Sequence, residues 1–371
     1  MDFLFNEPQR KLRDGIRSLS EGLGARRSDP EGGTGPVDTA LRRRLAEAGL
    51  WGAFKPSAFG GQDCAAMEVA IICEELARSA PLAALALAEH NMLSVRHLEL
   101  SGDSNQKERW LAASAQAPAL ASWCPADGMS PSRQGPLPTR AAKRGKSWVL
   151  NGAKLALAIG GWADWTVVTA ITEGSAGKGS ISAFILEKGW PGVRREGLAG
   201  MNGSEGATGE LLVLADVQVP ADHMLGAEGA AGEQVRCVLD DARLCLAALS
   251  IGLAAGALEA CLSGHRSEST AVSAALHQPE DMARLALTLN ELEAARLMMY
   301  RAALIEGRPL QPREETRASC ARAVDVALAS VSLATRLAAK ARGKLGLSSA
   351  LERSAGVVSR WLRTQNALES V

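Results

Sequence analysis

WVLNGAKLALAIGGWAD, residues 148–164, is the stretch on which the reading of this chain turns. Trp148-Val149-Leu150 has the composition of a strand. Asn151-Gly152 is a type I′ hairpin signal, and Ala153 to Leu157 reads as the returning strand. After Gly160-Gly161, Ala163 to Val168 opens another strand. Working outward, further short strands are expected at Ala119–Trp123, Ser180–Leu186, Val193–Arg195, Glu210–Leu214 and Val217–Val219, with Gly, Pro and Ser clusters between them. The region 129–145 reads as a polar loop. Short strands punctuated in this way predict a small barrel or sandwich.

Both flanks have helical period instead. Before the β-rich island, Phe5, Leu12, Ile16, Leu19 and Leu23 mark one helix, with Asn6 as its N-cap and Glu7-Pro8 in its first turn. A Gly/Pro/Asp linker over 26–36 leads to a second helix, Val37–Ala48. The turn-rich segment WGAFKPSAFGGQD follows. Buried helices are then expected at Ala66–Ser79 and Ala83–Leu100, and an amphipathic one at Asn105–Ala115, with Trp110 and Leu111 facing inward. Beyond the island, Glu233–Ser263, Pro279–Glu306, Arg313–Ala341 and Arg353–Leu368 form a predicted antiparallel four-helix bundle. The fold class is therefore mainly α with a central β-domain, divided as 1–117, 118–227 and 228–371.

Bulk properties narrow the function classes. The 371 residues are 47% hydrophobic, enough for a sizeable core. Lys plus Arg and Asp plus Glu number 41 each, so no global field recruits nucleic acid or an anionic membrane. The seven cysteines form no CxxC pair and no zinc spacing, which predicts reduced thiols and no metal. No apolar run reaches about 18 residues and the N-terminus has no apolar core, so a soluble, cytoplasmic protein is expected.

Several ordered strings carry a resemblance that covers essentially the whole chain. They include Gly49-Leu50-Trp51-Gly52 with Pro56 to Gly61, Glu74-Glu75-Leu76-Ala77-Arg78, and Gln106-Lys107 before Trp110-Leu111. Leu150 to Lys154, Ala163-Asp164, Asp216 to Pro220 and Leu225-Gly226 complete the set. With these strings the chain resembles the acyl-CoA dehydrogenase family. The resemblance implies an N-terminal helical domain, a middle β-domain and a C-terminal four-helix bundle. It also implies FAD as cofactor, an acyl-CoA thioester as substrate, assembly as dimers of dimers, and electron-transfer flavoprotein as a partner.

The family reaction takes the α-proton of the thioester with a carboxylate base and sends the β-hydrogen to the flavin as hydride. The residues that would do this are thinned out here. The Arg-Asp pair that precedes one family base reads Arg363-Thr364, with Glu369 the nearest acid. The alternative family position reads alanine in Leu239-Asp240-Asp241-Ala242-Arg243, which leaves Asp241 as the candidate base. Thr-Glu-Pro and Gly-Ser-Asp, which meet the flavin, align with Trp123-Cys124-Pro125 and Gly128-Met129-Ser130, so Trp123 replaces a hydroxyl donor while Pro125 and Gly128 persist. The ring-covering Trp-Ile-Thr/Ser reads Ala156-Leu157-Ala158. Arg266 matches the arginine that reaches a neighbouring subunit's pyrophosphate. Gly343 and Gly346 survive from the turn that holds the adenosine side. His90 and His277-Gln278 read as structural.

Two functions compete on this pattern. One is an FAD enzyme with a relocated base. The other is a homologous subunit of an α2β2 heterotetramer that has lost base and flavin, of the kind that handles bulky substrates such as sterol side-chain CoA esters. A cofactor-free scaffold for acyl-thioesters is a third.

Overall fold

A computed structural model describes residues 5–24, 39–112, 119–127, 138–156, 159–160, 163–172, 180–197, 210–266, 278–306 and 314–340. The first elements are helices α1 (Glu7–Gly24), α2 (Thr39–Glu47), α3 (Ala66–Ser79), α4 (Pro81–Ala88), α5 (Arg96–Ser101) and α6 (Ser104–Gln106), with π-helical turns at Glu89–Val95 and Lys107–Leu111. Strands follow as β1 (Ala121–Cys124), β2 (Arg140–Arg144), β3 (Ser147–Ala156), β4 (Trp165–Thr172), β5 (Ser180–Glu187), β6 (Val193–Gly197), β7 (Glu210–Pro220) and β8 (Met224–Leu225). Helices α7 (Ala231–Arg266), α8 (Pro279–Glu306) and α9 (Glu314–Lys340) end the series. The mainly helical class with a central sheet is the one the sequence predicts. The predicted linker at 26–36 and the helix at 353–368 lie outside the described residues.

Local chemistry explains where the helices begin. Asn6 Oδ1 accepts the Gln9 N–H at 2.9 Å while Gln9 Oε1 accepts the Asn6 N–H at 3.0 Å, a reciprocal capping box. Asp103 and Gln106 repeat the arrangement at α6. Pro279 takes the first position of α8, where no N–H is needed.

The chain clusters into two compact units. One holds α1, α3, the first residues of α4, α7 from Asp241 onward, α8 and α9. Its interior combines apolar packing around Ile71, Ile72 and Leu76 with an ionic network built on two buried carboxylates, Glu74 and Glu75. Arg17 grips Glu75 with two hydrogen bonds, at 2.8 and 2.9 Å. Glu74, on the same helix, accepts from Arg296 Nε at 2.7 Å and from the Tyr300 hydroxyl at 2.7 Å. Burial and the Glu74 carboxylate push the Tyr300 phenol well above its ordinary range, so it remains the donor of that bond.

The other unit holds α2, the π-helical turns, α5, α6, all eight strands and the start of α7 up to Asp240. Its strands form one sheet in the order β6-β7-β3-β2-β4-β5-β8, with β1 paired to β4. Strands β1 and β2 both run parallel to β4, and the remaining pairs are antiparallel. Trp148, Leu150, Phe184, Val217 and Val219 pack into its core, with the Trp148 and Phe184 rings 5.7 Å apart, edge to face.

The expected hairpin at Asn151-Gly152 is not there. Strand β3 runs straight through both residues and pairs with β7 from Ser147↔Pro220 to Ala156↔Glu210, with a bulge between Leu150 and Gly152. Two non-local contacts outweigh the turn propensity. Asn151 exchanges hydrogen bonds with Asp216 across the bulge, at 2.9 and 3.0 Å, and Asp216 takes a φ of 52° to meet it. Gly152 lets the backbone of Thr139 pass, since a Cβ there would lie 2.5 Å from Thr139 Cα. The two-residue turn is Gly145-Lys146, between β2 and β3, with Gly145 at φ 60°. The expected polar loop over 129–145 therefore ends in a strand, and the two strands expected over 210–219 are one, bulged at Asp216.

Candidate functional site

Strand β1 lies at the centre of the polar chemistry in the sheet-bearing unit. All four of its residues are buried, Trp123 with 0% exposure. The Trp123 indole Nε1–H donates to His97 Nδ1 at 3.0 Å. That bond fixes the His97 tautomer, so its Nε2–H donates to Gln234 Oε1 at 3.1 Å. His90 is arranged alike: Nδ1 accepts the Ala121 N–H at 3.1 Å and Nε2–H donates to the Trp51 carbonyl at 3.2 Å.

Next to His90, the buried Glu89 carboxylate accepts three hydrogen bonds. They come from the Ser122 hydroxyl at 2.6 Å, the Trp123 N–H at 3.1 Å and the Ile159 N–H at 2.9 Å. A π-helical turn over Glu89–Val95 carries Glu89 and His90.

Beyond β1, the Pro125 carbonyl accepts from Lys154 Nζ at 2.6 Å and from the Thr169 hydroxyl at 2.7 Å. Lys154 is buried and also donates to Asp127 at 2.8 Å. Burial lowers its pKa, with the Asp127 carboxylate acting in the opposite sense. Burial also raises the Cys124 thiol to about 12, which keeps it protonated and unreactive. Between Ser122, Cys124, Ala156 and Leu212 lies a gap too narrow for a water molecule. Among the described residues, no His, Cys, Asp and Glu cluster could hold a metal and no helix is long and apolar enough to cross a membrane.

The buried histidines predict a pH response. Burial, with Lys55 and other charges, lowers His90 to about 3, and burial lowers His97 to about 4. Unfolded, both titrate near about 6.5. Between that value and the lowered ones the unfolded chain binds more protons than the folded chain. The contribution is therefore intact above about 6.5 and lost progressively as pH falls toward 4 and then 3. The urea midpoint should drop across this window, and His97→Gln should flatten part of the slope. An unchanged slope in that variant would show that His97 is not held neutral by the fold.

The site residues expected from sequence divide into three groups. Trp123 and Pro125 belong to one polar assembly on and after β1, as just described. Asp241 lies on α7 and is buried, at 8% exposure, rather than on the helix surface. Arg266 ends α7, with its side chain outside the described residues, as are Gly128, Gly343 and Gly346 entirely. His90, expected to be structural, has partners on both ring nitrogens. Glu89 and His97 were not signalled by any motif. The available signal for Glu89 was an acid alone in the apolar run Pro81–Val95.

Residues 6–117 match the family described as "Acyl-CoA dehydrogenase, N-terminal domain". Cyclohex-1-ene-1-carbonyl-CoA dehydrogenase of Geobacter metallireducens is 33% identical over 271 residues, which are 71% of this chain and 69% of that protein. Butyryl-CoA dehydrogenase from Megasphaera elsdenii superposes with a TM-score of 0.77 at 24% identity, covering 99% of this chain and 98% of that one. A glutaryl-coenzyme A dehydrogenase in complex with glutaryl-CoA gives a TM-score of 0.79 at 24% identity, over 100% and 95% of the two chains. These two superpositions establish a shared fold.

Proposed function

The chain belongs to the acyl-CoA dehydrogenase family, and from that premise we propose that it serves α,β-dehydrogenation of an acyl-CoA thioester as the non-catalytic subunit of an oligomer. In this reading a homologous partner subunit carries both the FAD and the carboxylate base, in an α2β2 arrangement. Bulky CoA esters, such as those of sterol side chains, are the proposed substrates, and electron-transfer flavoprotein is the proposed electron acceptor.

Trp123 carries the proposal. The family resemblance assigns that position a hydroxyl donor to the flavin ring, and here it holds a fully buried indole committed to His97. Ala156, in place of a ring-covering tryptophan, faces a gap too narrow for water. Pro125, the residue retained from the same motif, has its carbonyl committed to Lys154 and Thr169. These residues do not fit an isoalloxazine ring, so no reaction step is assigned to a flavin in this chain. Arg266, Gly343 and Gly346 remain proposed contacts toward the adenosine and pyrophosphate side, with Arg266 directed to the partner's cofactor.

Association is supported by helix α8, which leaves Leu287 64% and Leu304 52% exposed, along with Leu297 and Met298. Apolar side chains repeated along one helix favour burial against another subunit. The burial of Asp241 favours a second reading, since a desolvated carboxylate is what a catalytic base requires.

Co-expression with a homologue encoded beside this chain separates the two. The expected result is a complex that is yellow and oxidises acyl-CoA, with one flavin for every two chains, and that keeps its turnover when Asp241 is changed to Asn. Loss of turnover in Asp241→Asn at unchanged flavin content would replace this proposal with the second reading.

A further inference from the structure

Glu89 is an unusual residue for its place. It is the sole acid in the apolar run Pro81–Val95, it is buried, and it lies at the start of a π-helical turn. A buried carboxyl group is costly unless hydrogen-bond donors surround it. The three donors described above supply this, and their origin is informative. Ser122 and Trp123 belong to β1, and Ile159 follows β3. These are the two segments to which the family resemblance assigns the ring edge and the neighbourhood of flavin N5.

We infer that Glu89 is a built-in occupant of the flavin-facing side of β1, a carboxylate that takes the main-chain donors of both segments and, with Trp123, closes the cleft against FAD. The inference rests on the proposed role as a flavin-free subunit and adds the means by which the cleft is filled. A flavin ring edge presents nitrogen and oxygen acceptors, and the Glu89 oxygens present acceptors to the same face. The two cannot hold the Trp123 and Ile159 amides together. Trp123 adds a steric barrier, because moving its indole would break the hydrogen-bonded series Trp123–His97–Gln234. The Trp123 amide and indole and the Ile159 amide are thus all committed to partners within the chain.

The test uses the purified full-length chain, FAD, and two readouts: quenching of FAD fluorescence, and hydrogen exchange at the Trp123 and Ile159 amides. The wild-type chain is expected to leave FAD fluorescence unquenched, with both amides exchanging slowly at a rate that FAD does not change. Glu89→Ala/Trp123→Thr is expected to quench FAD. A double variant that folds and remains blind to FAD would overturn the inference while leaving the partner-subunit proposal standing. Wild-type chain that quenches FAD and oxidises acyl-CoA on its own would overturn both. Should the double variant not fold, amide exchange in the wild type decides: fast exchange at Trp123 and Ile159 would refute a carboxylate held across them.

Discussion

Glu74→Ala is expected to cost about 3–5 kcal/mol of stability, the range for removing one partner of a buried ion pair. The Glu74 carboxylate is 1% exposed and accepts from Arg296, from Tyr300 and, at 3.5 Å, from Arg78. Its loss leaves the Arg296 Nε–H and the Tyr300 hydroxyl without their acceptor in the interior, while Arg296 Nη1 keeps Glu293. The effect is a large share of the roughly 5–15 kcal/mol that typically separates folded from unfolded chains. Glu74→Gln should cost less, because an amide oxygen still accepts one of the bonds. Urea denaturation of both variants checks the expectation. A loss below about 1 kcal/mol for Glu74→Ala would mean that the network behaves like a surface ion pair.

The second large effect is expected at Gly252 and Gly256 on α7. In an exposed helix, Gly→Ala would stabilise by about 1 kcal/mol. Here the sign should reverse. A Cβ at Gly252 would lie 2.1 Å from the Glu74 carbonyl oxygen, and one at Gly256 would lie 1.9 Å from the Arg78 carbonyl oxygen. These are backbone atoms of α3 and cannot move aside as a flexible side chain would. Overpacking of this kind typically costs about 1–3 kcal/mol, more than the propensity gain. Gly252→Ala and Gly256→Ala should each lower the thermal midpoint, and the double variant should separate α7 from α3. Unchanged or raised midpoints would show that the two helices do not depend on this close approach.

Helices were the most legible part of the sequence. Pro279 and the apolar period that follows it located α8 from Pro279 to Glu306, the span observed, because an N1 proline and a 3.6-residue repeat are local signals. The sheet was less legible. Asn151-Gly152 is a strong local turn signal, yet long-range pairing of β3 with β7 and the crossing backbone of Thr139 set its conformation. Strand β2, Arg140–Arg144, reads as polar loop because its charged side chains are exposed while its main chain pairs with β3.

The site divides along the same line. Motif alignment located Trp123 and Pro125 and identified what is missing at Ala156. It did not identify Glu89 or His97, because their roles depend on helix-to-strand contacts between residues about thirty positions apart, with no fixed spacing. Asp241, the candidate base that the alternative family position left, is buried on α7, which its sequence neighbours do not signal.

The most direct test of the central claim is the visible absorption spectrum of this chain purified alone after expression with excess riboflavin. The expected result is a colourless protein with no flavin band and no bleaching on addition of acyl-CoA, although the chain is folded. A yellow protein with one flavin per chain that bleaches with acyl-CoA would contradict it.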